Sequence, residues 1–116
     1  MVLASPYVRA WQTAELVRDE AGWADPKRCP ALAAHRPTDD ALVPLRTHAE
    51  HESVALVGHE PNVSSLASLL VAGDEGSLAL EAKKGGVVLI TFAGPPAPGS
   101  GVLRWSVTPK ILRALA

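Results

Sequence analysis

The chain has 116 residues, of which 47% are hydrophobic, 20% are charged and 4% are aromatic. This composition excludes a wholly disordered chain, and we expect a single domain over residues 1–116 with a core of Ala, Val and Leu. The formal net charge of -1 gives no basic surface, so neither nucleic acid nor an anionic membrane is expected as a partner.

The sequence shows no sign of export or of membrane insertion. Cys29 is the single cysteine, so no disulfide can form within the chain and nothing indicates an oxidising compartment. The longest apolar runs are far shorter than the roughly 20 residues that span a bilayer. The start has no signal peptide, and its immediate apolar run indicates that the sequence begins partway through a domain. We therefore expect a cytoplasmic protein.

The first predicted elements are a strand, a tight turn and a helix. Residues 2–4 are a short apolar run, and Ser5 followed by Pro6 is a favourable helix start. We predict a helix over residues 7–21 that ends at Gly22, with a buried face of residues at three- and four-residue spacing. That face consists of Ala10, Ala14, Val17 and Ala21. Residues 23–37 contain three prolines and predict connecting structure.

The same order of strand, turn and helix recurs in the middle of the chain. A helix before it begins either at Thr38 or near Leu42, because Pro44 conflicts with a helix that starts at Thr38. Residues 53–57 are a continuous apolar run typical of a strand in a parallel sheet, and residues 58–61 (GHEP) end it. Asn62 can cap the helix that follows. The apolar face of that helix consists of Val63, Leu66, Ala67 and Leu70.

The last third of the chain predicts a hairpin. Residues 87–92 are the strongest strand signal, and residues 94–101 form a loop rich in proline and glycine. Residues 102–108 alternate, with Leu103, Trp105 and Val107 on one face. Residues 109–116 can form a short closing helix. This order of elements predicts an α/β fold.

Arg9 and His59 are the candidate functional residues because each lies in the turn after a predicted strand. In an open α/β sheet such turns gather at the carboxyl edge, where ligands bind. A helix amino terminus favours an anion, and a guanidinium and an imidazole add donors suited to phosphate. Each residue also has a simpler interpretation, Arg9 as a surface arginine and His59 as a structural histidine bonded within its turn.

Two motifs in these turns resemble those of a known family. Residues 5–13 (SPYVRAWQT) resemble the S-P-x-x-R-A-x-Q-T segment of the histidine phosphatase superfamily, and residues 54–61 (VALVGHEP) are similar to its second signature. Residues 84–87 (KGGV) and 105–109 (WSVTP) further resemble the late strands of the SixA-type phosphohistidine phosphatases. The resemblance spans nearly the whole chain and follows the order of the family.

The resemblance implies a fold, a reaction and roles for particular residues. The fold is a three-layer α/β architecture of the phosphoglycerate-mutase-like type with a mainly parallel sheet. The reaction is hydrolysis of a phosphohistidine in a protein, or of a small phosphoester, through a covalent phosphohistidine enzyme and without a metal or other cofactor. Catalytic roles fall to His59 and Arg9. Substrate binding is assigned to Arg9, Ser5 and Glu60, although Glu60 can instead cap the helix after it.

One motif of the family is absent from the sequence. The family begins with a strand ending in Arg-His-Gly, which carries the nucleophilic histidine, and no Arg-His dipeptide occurs here. We therefore expect a chain that lacks the first strand and helix and is inactive, since loss of a covalent nucleophile lowers turnover on the order of a millionfold. The unpaired strand edges would favour dimers. The alternative is a non-catalytic module that binds phosphate or a phosphoprotein through Arg9 and His59.

A metal site is the remaining candidate. His48 and His51 are three residues apart, and Cys29 and His35 precede them, but no C-x-x-C or H-E-x-x-H spacing occurs. We interpret His48 and His51 as exposed polar histidines and Cys29 as an inert thiol. The sequence therefore predicts no metal site.

Overall fold

The computed structural model describes residues 1–80 and 87–107. It divides into two compact units, Met1–His59 and Glu60–Ala116. The predicted helix over residues 109–116 lies outside the described residues, as do parts of the two late motifs (residues 84–86 and 108–109). None of the helices in the described ranges is long and apolar enough to cross a bilayer.

The first unit is built on a parallel sheet of three strands. Its strands are β1 (Val2–Ala4), β2 (Pro26–Arg28) and β3 (Ala55–Val57), and their spatial order is β2-β1-β3. All of β1 is buried, and Val2 pairs with Ala55 while Ala4 pairs with Val57. The predicted strands β1 and β3 are thus present. Strand β2 was not predicted, because this short strand begins at a proline and two of its three residues are exposed.

Helix α1 (Val8–Ala21) follows β1 but begins later than the sequence predicts. Its N-cap is Tyr7, and Ser5 and Pro6 form the turn before it. Ala10 and Ala14 are buried as predicted. Ala21 is exposed, because it is the last helical residue before Gly22, whose positive φ of 72° ends the helix.

Two short 3-10 helices, Pro30–Leu32 and Thr38–Ala41, precede helix α2 (Leu42–Thr47). The α-helix therefore starts at Leu42, the second of the two predicted starts. Pro44 falls in its first turn, where the backbone N–H groups have no partner within the helix and a proline causes no loss.

The second unit combines helix α3 (Asn62–Ala72) with an antiparallel hairpin, β4 (Val87–Phe92) and β5 (Gly101–Val107). Asn62 is the first helical residue and not the cap, which is Pro61. The predicted apolar face of α3 is largely confirmed, with Leu66, Ala67 and Leu70 buried. A register shift at Ile90, which pairs with Leu103, interrupts the strict alternation predicted along β5.

Candidate functional site

The two strand–turn segments meet at one edge of the parallel sheet. β1 and β3 are adjacent and parallel, so their carboxyl ends lie side by side. Ser5 follows β1 directly, and its backbone N–H donates to the carbonyl of Val57 at 2.9 Å, which continues the pairing beyond the strand. The imidazole Nε2 of His59 lies 2.8 Å from the Ser5 hydroxyl oxygen. Ser5 and His59, which are 54 positions apart in the sequence, are thereby joined by a hydrogen bond.

The Ser5 hydroxyl is fully buried, with 0% of the residue exposed. It accepts a hydrogen bond from the backbone N–H of Tyr7 at 3.3 Å in addition to its bond with His59. A hydroxyl has one proton and two lone pairs, so these two bonds use most of its capacity. The hydroxyl of Ser5 is therefore placed to orient the His59 ring.

The Ser5 bond limits what the other ring nitrogen of His59 can do. Nδ1 of His59 has no hydrogen-bond partner among residues 1–80 and 87–107. If Ser5 donates its proton to Nε2, a neutral ring carries its hydrogen on Nδ1, and an imidazolium donates from both nitrogens. In either case Nδ1–H can donate to an anion. If a neutral ring instead donates from Nε2 to Ser5, Nδ1 is bare and would repel an anion.

Tyr7 and His35 form an aromatic row beside His59. The Tyr7 and His59 ring centroids are 5.5 Å apart with a tilt of 55°, a separation typical of interacting aromatic pairs. The Tyr7 ring also stacks with His35 at 5.9 Å, and the Tyr7 hydroxyl is hydrogen-bonded to His35 Nδ1 at 2.6 Å. Sequence reasoning missed both residues. Tyr7 stands at an unspecified position of its motif, and His35 lies in the proline-rich connection, where no periodicity marks it.

Arg9 lies in the first turn of α1 and is exposed. Its backbone carbonyl accepts a hydrogen bond from the Thr13 hydroxyl at 2.9 Å. Its guanidinium has no hydrogen bond or ion pair with residues 1–80 or 87–107. The first turn of α1 also contains no acidic side chain. The positive end of the helix dipole and this guanidinium therefore lack a neutralising group of the helix itself.

Glu60, the residue after His59, caps α3. One carboxylate oxygen accepts the backbone N–H of Ser64 at 2.8 Å, and the other accepts its hydroxyl at 2.6 Å. Glu60 thus caps the helix, which was the alternative to substrate binding in the sequence analysis. Its assignment to substrate binding stays a prediction.

The side chains of the remaining titratable candidates share no hydrogen bond with this network within residues 1–80 and 87–107. His48, Glu50 and His51 place potential ligand atoms within 4.8 Å of one another, but Glu50 and His51 are exposed. The Glu50 carboxylate lies 3.5 Å from His51 Nε2, as in many surface pairs. Cys29 is a buried free thiol, and its backbone N–H donates to the Ala4 carbonyl in extension of the sheet.

Comparison with known proteins identifies the fold. No family model and no curated protein matches this sequence. A solved structure of the protein histidine phosphatase SixA complexed with tungstate is similar, with 24% sequence identity and a TM-score of 0.80. The match covers 96% of this chain and 69% of the SixA chain. The chain therefore has the fold of a SixA-type histidine phosphatase, which confirms the fold predicted from its motifs. The mixed α/β architecture with its parallel sheet is compatible with the phosphoglycerate-mutase-like type.

Proposed function

We propose that this chain carries the phosphoryl-binding part of a phosphohistidine phosphatase site, with His59 and Arg9 in contact with the phosphoryl group. The observation that supports the proposal is the 2.8 Å contact between Ser5 and His59. This contact joins the two motifs at the carboxyl edge of the sheet, the place where α/β folds bind ligands. The similar SixA structure is a complex with tungstate, which is an oxyanion.

The chemistry of the two side chains suits a phosphoryl group. The exposed Arg9 guanidinium can bind two phosphoryl oxygens at once, and the helix end beside it favours negative charge. When Ser5 donates to Nε2, the Nδ1–H of His59 supplies a further donor, which the bond to Ser5 orients. Such donors stabilise the charge that spreads over the equatorial oxygens during phosphoryl transfer. Ser5 is fully buried, so we propose that it acts by positioning His59.

Calorimetric titration of the purified chain with inorganic phosphate and with tungstate tests the binding site. We expect saturable binding of both anions that is weakened in Arg9→Ala and in His59→Gln. The matched controls are Arg18→Ala, a surface arginine of the same helix paired with Asp19, and His51→Gln, an exposed histidine. Absence of saturable binding, or equal losses in the controls, would refute the site.

Turnover is a separate question, because these 116 residues contain no Arg-His dipeptide to supply the nucleophile. We propose that they bind a phosphohistidine protein or a small phosphoester without hydrolysing it. Hydrolysis of p-nitrophenyl phosphate is then expected at the rate of buffer alone. Release of phosphate above that rate, abolished in His59→Ala, would contradict this.

The missing dipeptide also favours the second candidate function, a non-catalytic module that binds phosphoproteins in the cytoplasm. A phosphohistidine-containing protein tests this second candidate. A binding module retains the phosphorylated protein in preference to the unphosphorylated form, and the retention is lost in Arg9→Ala. Retention that is independent of phosphorylation would exclude it.

A further inference from the structure

The aromatic row of His35, Tyr7 and His59 has no role in the function proposed so far. Tyr7 is 43% exposed, and an exposed tyrosine ordinarily samples several rotamers. Here its hydroxyl is fixed by the 2.6 Å hydrogen bond to His35 Nδ1. This distance is at the short end for a hydrogen bond between oxygen and nitrogen. His35 therefore determines where the Tyr7 ring lies.

His35 can perform this role because its own loop is held in place. The preceding Ala33 is 3% exposed and so packed in the core of its unit. The backbone N–H of Arg36 donates to the Ala33 carbonyl at 3.0 Å, and the Arg36 Nε donates to the Asp40 carboxylate at 2.9 Å. These contacts on both sides of His35 restrict the backbone from which its ring projects.

The Tyr7 ring in turn restricts His59. Ser5 holds Nε2 of His59 from one side, and the Tyr7 ring lies 5.5 Å away by centroid. Rotation of the imidazole about its last torsion would break the Ser5 bond and alter the contact with Tyr7. The two neighbours together favour one orientation of the ring, and with it one position of Nδ1.

We infer that His35 is a positioning residue of the His59 site: its hydrogen bond to Tyr7 places the ring that holds the His59 imidazole. This inference rests on the proposed phosphoryl-binding function for its consequence, since a better-oriented Nδ1–H binds an anion more tightly. The placement of the imidazole itself is independent of that function.

The first test uses NMR spectra of the His59 ring in the full chain without anion, with His59→Gln to assign the signals. The Tyr7 ring current shifts the His59 ring protons, so we expect His35→Ala and Tyr7→Phe to move these signals. His35→Asn, which retains an acceptor near the position of Nδ1, should restore them toward the original values. His51→Ala serves as the control histidine. Unchanged His59 signals in both His35→Ala and Tyr7→Phe would overturn the inference.

The second test is a double-mutant cycle with inorganic phosphate as the probe. His35→Ala and Tyr7→Phe should each lower phosphate affinity roughly two- to fivefold, and the double variant should lose no more than either single one. Losses that multiply in the double variant would refute a shared action through one hydrogen bond. Should His35→Ala fail to fold, His35→Phe, which keeps a ring but has no acceptor for the Tyr7 hydroxyl, takes its place in the same comparison.

The two tests separate failure of this inference from failure of the proposed function. If the unmodified chain binds neither phosphate nor tungstate, the phosphoryl-binding function fails, while the His59 spectra still decide whether His35 positions the ring. If phosphate binds but neither the spectra nor the affinity responds to His35, the function survives and the inference fails.

Discussion

Replacement of Ser5 by alanine removes two hydrogen bonds and little volume. The bond to His59 measures 2.8 Å, and the longer bond from the Tyr7 N–H measures 3.3 Å. With about 1 kcal/mol for the short bond and about 0.5 kcal/mol for the long one, we expect Ser5→Ala to lower the free energy of unfolding by about 1.5 kcal/mol. For 116 residues this corresponds to a decrease in Tm of about 6 °C.

Ser5→Ala should also weaken phosphate binding, because the His59 ring loses the group that orients it. If the loss of orientation lowers the binding free energy by about 1 kcal/mol, the phosphate affinity falls about fivefold. Ser68→Ala is the matched control, since Ser68 is also fully buried. Its hydroxyl donates to the Asp74 carbonyl at 2.5 Å and accepts the Leu78 N–H at 2.9 Å. We expect Ser68→Ala to destabilise the chain by about 2 kcal/mol and to leave phosphate affinity unchanged.

Urea unfolding followed by circular dichroism measures the stability of both variants, and calorimetric titration measures their phosphate affinity. The reasoning requires that stability falls in both variants while affinity falls in Ser5→Ala alone. A Ser5→Ala variant with unaltered stability and affinity would show that its two hydrogen bonds contribute nothing. Equal affinity losses in both variants would show that the effect is general loosening of the fold.

Arg9→Lys should weaken phosphate binding about tenfold, because an ammonium cannot form the paired hydrogen bonds of a guanidinium. Phosphate titration of this variant and of the control Arg18→Lys checks this, and equal effects would count against a direct contact between Arg9 and phosphate. Gly101→Ala should destabilise the chain by about 1–3 kcal/mol in urea unfolding. The added Cβ would lie 2.6 Å from Cγ2 of Ile90, and an unaffected variant would mean that this contact relaxes freely. EDTA should leave phosphate affinity unchanged, because the proposed ligands of the anion are the Arg9 guanidinium and the His59 imidazole and not a metal; titrations with and without the chelator decide, and a loss of affinity would point to a bound metal.

Much of the local structure could be predicted from the sequence because its causes act within a few residues. The apolar runs before Ser5 and His59 predicted β1 and β3, and helical spacing predicted most of the buried positions of α1 and α3, although not Ser68. The motifs around these residues also indicated the fold that the similar structure shares. The details of helix starts were less accessible. Asn62 was the expected cap of α3, but the Glu60 carboxylate accepts the backbone N–H of Ser64.

Contacts between distant residues depended on the tertiary structure. The hydrogen bond between Ser5 and His59 exists because β1 and β3 pair in one register, and a shift of one residue would turn successive side chains to opposite faces of the sheet. The bond between Tyr7 and His35 spans 28 residues and depends on where an irregular, proline-rich connection returns to the sheet edge. Periodicity and backbone restriction act over a few residues and so determine the elements. Register and loop closure, which no short segment encodes, decided which side chains became neighbours.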